Sequence, residues 1–341
     1  MRPETIQKRE DEFFTNLTNS AGVKYKLTQT TDIGHGVKIY SIRPDFDSYY
    51  YKAKTVKKSI CLHFTVGYIK SDTTALSTKD NNVSVSYVVD RTGRIYEMFP
   101  DTEWSYHLGS GAVGGNGAMS KQSIGIEISN YGPLKLSGES LLDAYKNEYC
   151  KVSETQFYDK LNYRGYDYFA SMTDVQISAT AALIKYLGRK HDIPMNFMPS
   201  DAPFASNAEA LAFKGVFYHT NVRKDKFDWP FGPSLKAIIS ACTNELPQVE
   251  EAKADAARTA AAPAEATKVA EPQQKSAEKP VEAPAVAKAE VKTPEVKKAP
   301  EIKPAATTTS KPKTTAAKVK APSLLESIIS LLLQLLGGKK R

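Results

Sequence analysis

The sequence predicts an α/β fold built on a single mixed central sheet flanked by helices, and three segments carry that expectation. Ser59 to Val66 (Ser-Ile-Cys-Leu-His-Phe-Thr-Val) is apolar on both faces, as a strand covered on both sides of a sheet must be. Ser123 to Ser129 (Ser-Ile-Gly-Ile-Glu-Ile-Ser) is a second β-branched run, with Ile124, Ile126 and Ile128 on one face and Gly125, Glu127 and Ser129 on the other. Thr173 to Lys190 reads as a helix: Ile177, Leu183, Ile184 and Leu187 are its apolar positions, Thr173 with Gln176 forms a capping box, and Pro194 follows its end. Strands and helices in mixed order place these segments in one domain of residues 1–244, with a core of about 59–240.

The remaining elements follow in chain order. Residues 1–58 open on a polar helical segment and pass into short strands such as Val37-Lys38-Ile39-Tyr40. Val83 to Val89 meets the turn Asp90-Arg91-Thr92-Gly93 before Arg94-Ile95-Tyr96-Glu97, which reads as a hairpin. Leu134 to Met172 has the look of an insertion between Glu127's strand and the helix. Its aromatic stretch Tyr163 to Phe169 would either wall a groove or pack against that helix.

Composition changes sharply near Glu245. Residues 245–322 are nearly all Ala, Lys, Glu, Pro and Thr, without one aromatic side chain, and cannot bury enough apolar surface to offset ordering entropy. A disordered linker is expected there. Beyond it, Ser323 and Glu326 form a capping box, Leu324 to Leu336 is apolar, and Gly337-Gly338 supplies a stop. This short C-terminal amphipathic helix, expected within 323–341, falls below the roughly 20 residues that a bilayer span needs, so it suits an interface or a partner.

Charge points the same way. The formal net charge is +8, and residues 302–341 hold eight Lys or Arg against the single acid Glu326. The rest of the chain is therefore close to neutral, which argues against nucleic acid; a basic tip suits an anionic surface such as lipid headgroups or a bacterial envelope. Cys61, Cys150 and Cys242 are widely spaced and odd in number, which suggests neither a disulfide framework nor a metal knuckle.

Histidine is scarce, with five in the chain. His63 lies in the first buried strand, where its ring nitrogens need partners, and a lone strand histidine is more often a hydrogen-bonded core residue than a metal ligand. His219 to Phe231 is a polar loop ending in a Pro turn, and Lys226 and Asp228, two apart, share one side of an extended backbone. By itself that loop is a solvated segment with a Lys–Asp pair. Together with His63, however, it supplies two imidazoles and a carboxylate, the three protein ligands of a catalytic zinc site that keeps a fourth position for water.

Five motifs then occur in order: Leu62-His63-Phe64-Thr65, Val83 to Tyr96, Trp104-Ser105-Tyr106-His107-Leu108-Gly109, Ser123 to Glu127, and His219 with Lys226-Phe227-Asp228. From Ser59 to Pro233 the chain resembles the type 2 family of N-acetylmuramoyl-L-alanine amidases, which includes phage lysozyme-like amidases and peptidoglycan recognition proteins. The resemblance implies Zn2+-dependent hydrolysis of the amide bond joining N-acetylmuramic acid to L-alanine in bacterial peptidoglycan. It implies that His63, His219 and Asp228 are the metal ligands, Asp228 standing where some relatives have Cys. Glu127 would be the general base, because Val85 stands where other branches use Tyr, and Lys226 would steady the oxyanion.

The resemblance also puts His107 in the groove, as a substrate contact or else a packed structural histidine, and Trp104, Tyr87 and Arg164 complete the expected substrate-binding set. A peptidoglycan-binding module of the same fold that does not cut is the alternative; such relatives usually lack a metal ligand. With no signal-peptide run near Met1 and a cationic end at 323–341 for anionic membrane contact, the expectation is a phage or prophage endolysin. It would be held in the host cytoplasm until release and would act at the wall or periplasm.

Overall fold

The computed structural model describes residues 1–230 and 232–243; the linker expected over 245–322 and the helix expected within 323–341 lie outside them. Helix α1 (Pro3–Asn16) leads into strands β1 (Lys26–Asp32) and β2 (Lys38–Arg43). Then come β3 (Ser59–Phe64), α2 (Ile69–Leu76), the hairpin β4 (Tyr87–Val89) and β5 (Ile95–Glu97), α3 (Asn116–Gln122) and β6 (Ser123–Ile128). These strands, with the later β12 (Gly215–Tyr218), form a seven-stranded mixed sheet in the order β1-β2-β5-β4-β6-β3-β12. β3 sits between two parallel neighbours, β6 and β12, which is why its sequence is apolar without alternation.

The two faces of this sheet differ in chemistry. Ile60, Leu62 and Phe64 of β3 and the three isoleucines of β6 lie in one apolar cluster with Leu183, Ile184 and Leu187 of α4 (Asp174–His191) and with Leu235 and Ile238 of α7 (Pro233–Thr243). The opposite face carries Cys61, His63 and Thr65 beside Gly125, Glu127 and Ser129, all of them buried. Strand periodicity alone therefore sorts an apolar layer from a polar one.

Residues 133–170 form a structure of their own, a second sheet that the sequence marks only as an insertion. Strands β7 (Pro133–Ser137), β8 (Ser140–Leu142), β9 (Glu148–Lys151), β10 (Tyr158–Tyr163) and β11 (Tyr166–Ala170) pair antiparallel in the order β10-β11-β7-β8-β9. Short helices α5 (Asn207–Ala212) and α6 (His219–Val222) flank β12.

The helix expected from Thr173 is present, but only half of its capping box forms. Thr173 Oγ1 accepts from the Gln176 amide at 3.2 Å, while the Gln176 side chain is fully buried and donates to the Val89 and Ser129 carbonyls instead of reaching back. A buried amide facing strand ends is satisfied by the carbonyls it finds there, of which that of Val89 also accepts from the Ser129 amide.

At its C-terminus α4 is tied to the sheet through Asp101, which is 1 % exposed. Asp101 accepts from Tyr87 Oη at 2.8 Å and from Lys190 Nζ at 2.8 Å. Burial works against its charge but is outweighed by His191, Lys190 and Tyr87, so its pKa is held at about 2 against an ordinary 3.8. A depressed carboxylate stabilises the fold above its unfolded value and loses that contribution as pH falls toward 2. Asp101→Asn is therefore expected to lose about 2 kcal/mol at pH 7 in urea unfolding, with the difference from the parent shrinking steadily between pH 4 and 2. An equal loss at pH 7 and pH 2.5 would contradict the charge-based account.

Candidate active site

Register assembles the site. β3 and β6 pair so that His63 stands opposite Glu127, and β12 pairs with β3 so that Tyr218 stands opposite Leu62. The residue after Tyr218 is therefore delivered beside His63, and it is His219. The turn that begins there is held by Asn221, whose Oδ1 accepts from the Tyr218 amide and whose Nδ2 donates to the Pro199 and Ala202 carbonyls, each at 2.7 Å. Thr220 N donates to the Asp228 carbonyl at 3.0 Å and returns the loop to its starting point.

Three side-chain atoms converge as a result. His63 Nδ1 and His219 Nδ1 are 2.9 Å apart, and Asp228 Oδ2 lies 3.4 Å from the first and 3.2 Å from the second. All three residues are buried. Ligands about 2.0–2.1 Å from a tetrahedral ion stand about 3.3 Å from one another, so the triangle has the dimensions of one face of such a site.

Hydrogen bonds decide where the imidazole protons are. His219 Nε2 is 3.0 Å from the Leu108 carbonyl, which can only accept, so Nε2 carries a proton and the neutral form of the ring has its lone pair on Nδ1. Ser123 Oγ donates to the Met119 carbonyl at 2.7 Å and so accepts from His107 Nε2 at 3.0 Å. His107 Nδ1 is then an acceptor for His63 Nε2 at 3.0 Å, which leaves His63 Nδ1 unprotonated as well. With both rings in these neutral tautomers, two lone pairs and a carboxylate oxygen face one another, an arrangement that a cation would stabilise.

Burial lowers the His63 pKa to about 4 and keeps the ring neutral. A second cluster, Cys61, His63 and His107, is equally close-knit. It suits a metal poorly: the His63–His107 contact already contains a proton, and burial raises the Cys61 thiol well above its ordinary pKa.

Glu127 is 2 % exposed, and its Oε2 is buried without a hydrogen-bond partner. Burial first, then Asp228 and Asp72, push its pKa well above that of a free glutamate, with Lys226 acting in the opposite direction. Lys226 is itself 6 % exposed. A high-pKa carboxyl with an unused oxygen beside a buried cation is equipped to take up and release a proton.

The residues expected to touch substrate fare differently. Tyr87 is corrected: its register partner is Ile126, it is buried, and its hydroxyl goes to Asp101, so strand alternation puts it on the face away from His63. Of the two expectations for His107, the structure has the packed one: the ring is the buried link between His63 and Ser123. Trp104 is also buried, stacked on Tyr51 at 4.2 Å between ring centres with the Lys121 ammonium 4.9 Å from its ring. Arg164 is exposed, but its Nη1 donates to the Lys224 carbonyl at 2.6 Å and to that of Lys226.

Three supporting groups escaped sequence reasoning: Ser123, the Leu108 carbonyl and Asn221. Gly125 belongs with them, since a Cβ there would fall 2.8 Å from Val85 Cγ1 and 3.2 Å from the His107 ring. In metal-free protein at pH 7, long-range 1H–15N spectra should show His63 and His107 neutral with the proton on Nε2. Signals of a doubly protonated His63, or of its Nδ1–H form, would contradict the hydrogen-bond chain.

The model of the family described as N-acetylmuramoyl-L-alanine amidase matches residues 53–226, which include β3, the β4–β5 hairpin, β6 and the turn beginning at His219. No curated protein matches the chain. Among solved structures, the endolysin amidase LysCS from Clostridium intestinale URNW shares 15 % identity over 59 % of this chain and 93 % of its own, with a TM-score of 0.33. AmiD from E. coli, solved with anhydro-N-acetylmuramic acid-L-Ala-D-gamma-Glu-L-Lys, shares 19 % identity over 57 % of each chain, with a TM-score of 0.30. AMPDH3 from Pseudomonas aeruginosa shares 17 % identity over 58 % of this chain and 65 % of its own, with a TM-score of 0.34. With just over half of its residues matched by that model, the chain belongs to the N-acetylmuramoyl-L-alanine amidase family.

Proposed function

We propose that the protein hydrolyses the amide bond between N-acetylmuramic acid and L-alanine in bacterial peptidoglycan, with Zn2+ held by His63 Nδ1, His219 Nδ1 and a carboxylate oxygen of Asp228. The observation that carries the metal assignment is the convergence of three donor atoms, 2.9 to 3.4 Å apart, in a buried site. Zinc bound there would polarise the amide carbonyl and bring a coordinated water toward a pKa of about 7.

The remaining work falls to the chain. Glu127, opposite His63 and with a free oxygen, would take a proton from the attacking water and hand it to the departing amine. An amine is a poor leaving group until protonated, so a carboxyl whose pKa is raised by burial suits both halves of that transfer. Lys226 would stand by the growing negative charge on the former carbonyl oxygen. His107 and the Leu108 carbonyl would hold the two imidazoles in the ligating tautomer. A phage or prophage endolysin that reaches the wall from the host cytoplasm is the proposed setting, supported by the basic residues between Lys303 and Arg341.

Release of soluble dye from labelled cell walls should stop when a chelator removes zinc and return when zinc is restored. Glu127→Ala should cost about 10²- to 10⁴-fold in kcat with zinc content unchanged. Lys226→Ala should cost about 10²-fold or more, and Asp228→Ala should fail to retain one zinc per chain. Stoichiometric zinc in Asp228→Ala would overturn the ligand set. Zinc-loaded protein that binds walls without cutting them would identify a recognition module.

A further inference from the structure

The hairpin of β10 and β11 runs alongside the loop that carries Lys226 and Asp228, and its contacts follow one another in antiparallel order. Asp159 accepts from Ser234 Oγ at 2.9 Å. Leu161 packs so closely on Gly232 that a Cβ there would come within 2.7 Å of it. At the tip, Arg164 Nη1 donates to the carbonyls of Lys224 and Lys226. On the return strand the Tyr166 ring meets Phe227 edge-on, 5.5 Å between centres at 89°.

The turn itself is Arg164-Gly165, both at positive φ (51° and 85°), the combination a two-residue type I′ turn requires. Asn or Gly is the usual first residue there. Arginine is an uncommon choice at such a position, and here its guanidinium reaches across to two carbonyls of the same loop. Bridging carbonyls two residues apart fixes the path of the backbone between them, and the next residues along that path are Phe227 and Asp228.

We infer that Arg164 is a positioning residue: the accessory sheet's hairpin clamps the backbone of residues 224–226 and so sets where Lys226 and Asp228 stand relative to His63 and His219. This rests on the roles proposed above for those two side chains, and it assigns the second sheet a task in the reaction that does not require it to touch substrate. Arg164→Ala removes both bonds. Arg164→Lys keeps a cation able to reach a carbonyl but loses the planar fork.

Hydrogen exchange measured by mass spectrometry on metal-free protein tests the clamp directly. Arg164→Ala should exchange faster than the parent across residues 223–230, with the central sheet unchanged; equal exchange there overturns the proposal. Zinc affinity by chelator competition, with kcat and KM measured separately, tests the consequence. Arg164→Ala should bind zinc about 10- to 100-fold more weakly, as loss of a ligand's support does elsewhere, and should lose kcat more than it raises KM. Arg164→Lys should recover part of both, and Lys160→Ala, on the same hairpin and exposed, should match the parent. Parent-like zinc affinity and kcat in Arg164→Ala overturn the positioning role. If the parent itself retains no zinc, the metal assignment fails instead, and the exchange result still decides the clamp.

Discussion

Parallel pairing between residues 59–64 and 123–128 is the constraint on which the site's geometry rests. Both strands are buried on both sides, and their register sets His63 beside Glu127 on one face while isoleucine and leucine fill the other. Because side chains alternate with a period of two, a shift of one residue in either strand would move its reactive side chain into the apolar layer. The apolar packing under α4 and α7 therefore does more than stabilise the fold: it locks the register that brings His63 and Glu127 together.

A polar layer buried this deeply is costly unless its groups are paired, and most of them are. Ser129 donates to Asp72, His107 bridges His63 and Ser123, and His219 donates to the Leu108 carbonyl. Two features of the described residues are electrostatic conflicts in this layer. One is the triangle of His63, His219 and Asp228 acceptor atoms, and the other is the Glu127 oxygen without a partner. Natural folds leave such conflicts where a ligand or a reaction resolves them. Here both fall on the same face of the same two strands and the loop after β12.

Much of this was legible beforehand, for identifiable reasons. The alternation Ile-Gly-Ile-Glu-Ile assigns Glu127 to the face opposite the isoleucines, and continuous apolar character marks Ser59 to Phe64 as a central strand; both are local signals. Tyr87 was not readable, because its strand has three residues and too few alternations to reveal a face. His107 lies in a loop with no periodicity, so nothing local distinguishes a ring buried against Gly125 from one open to a groove. Arg164 presents as a charged turn residue, and only the fold shows that its partners are carbonyls sixty residues away. Ser123 and Asn221 are equally silent, since what they bind are backbone groups set in place by tertiary packing.

Zinc K-edge X-ray absorption on the zinc-loaded protein addresses the coordination most directly. The proposed ligand set calls for a first shell of nitrogen and oxygen alone at about 2.0–2.2 Å, with outer scattering from two imidazole rings. A sulfur scatterer at about 2.3 Å would place the ion with Cys61, His63 and His107 instead, and would contradict the proton positions from which the site was built.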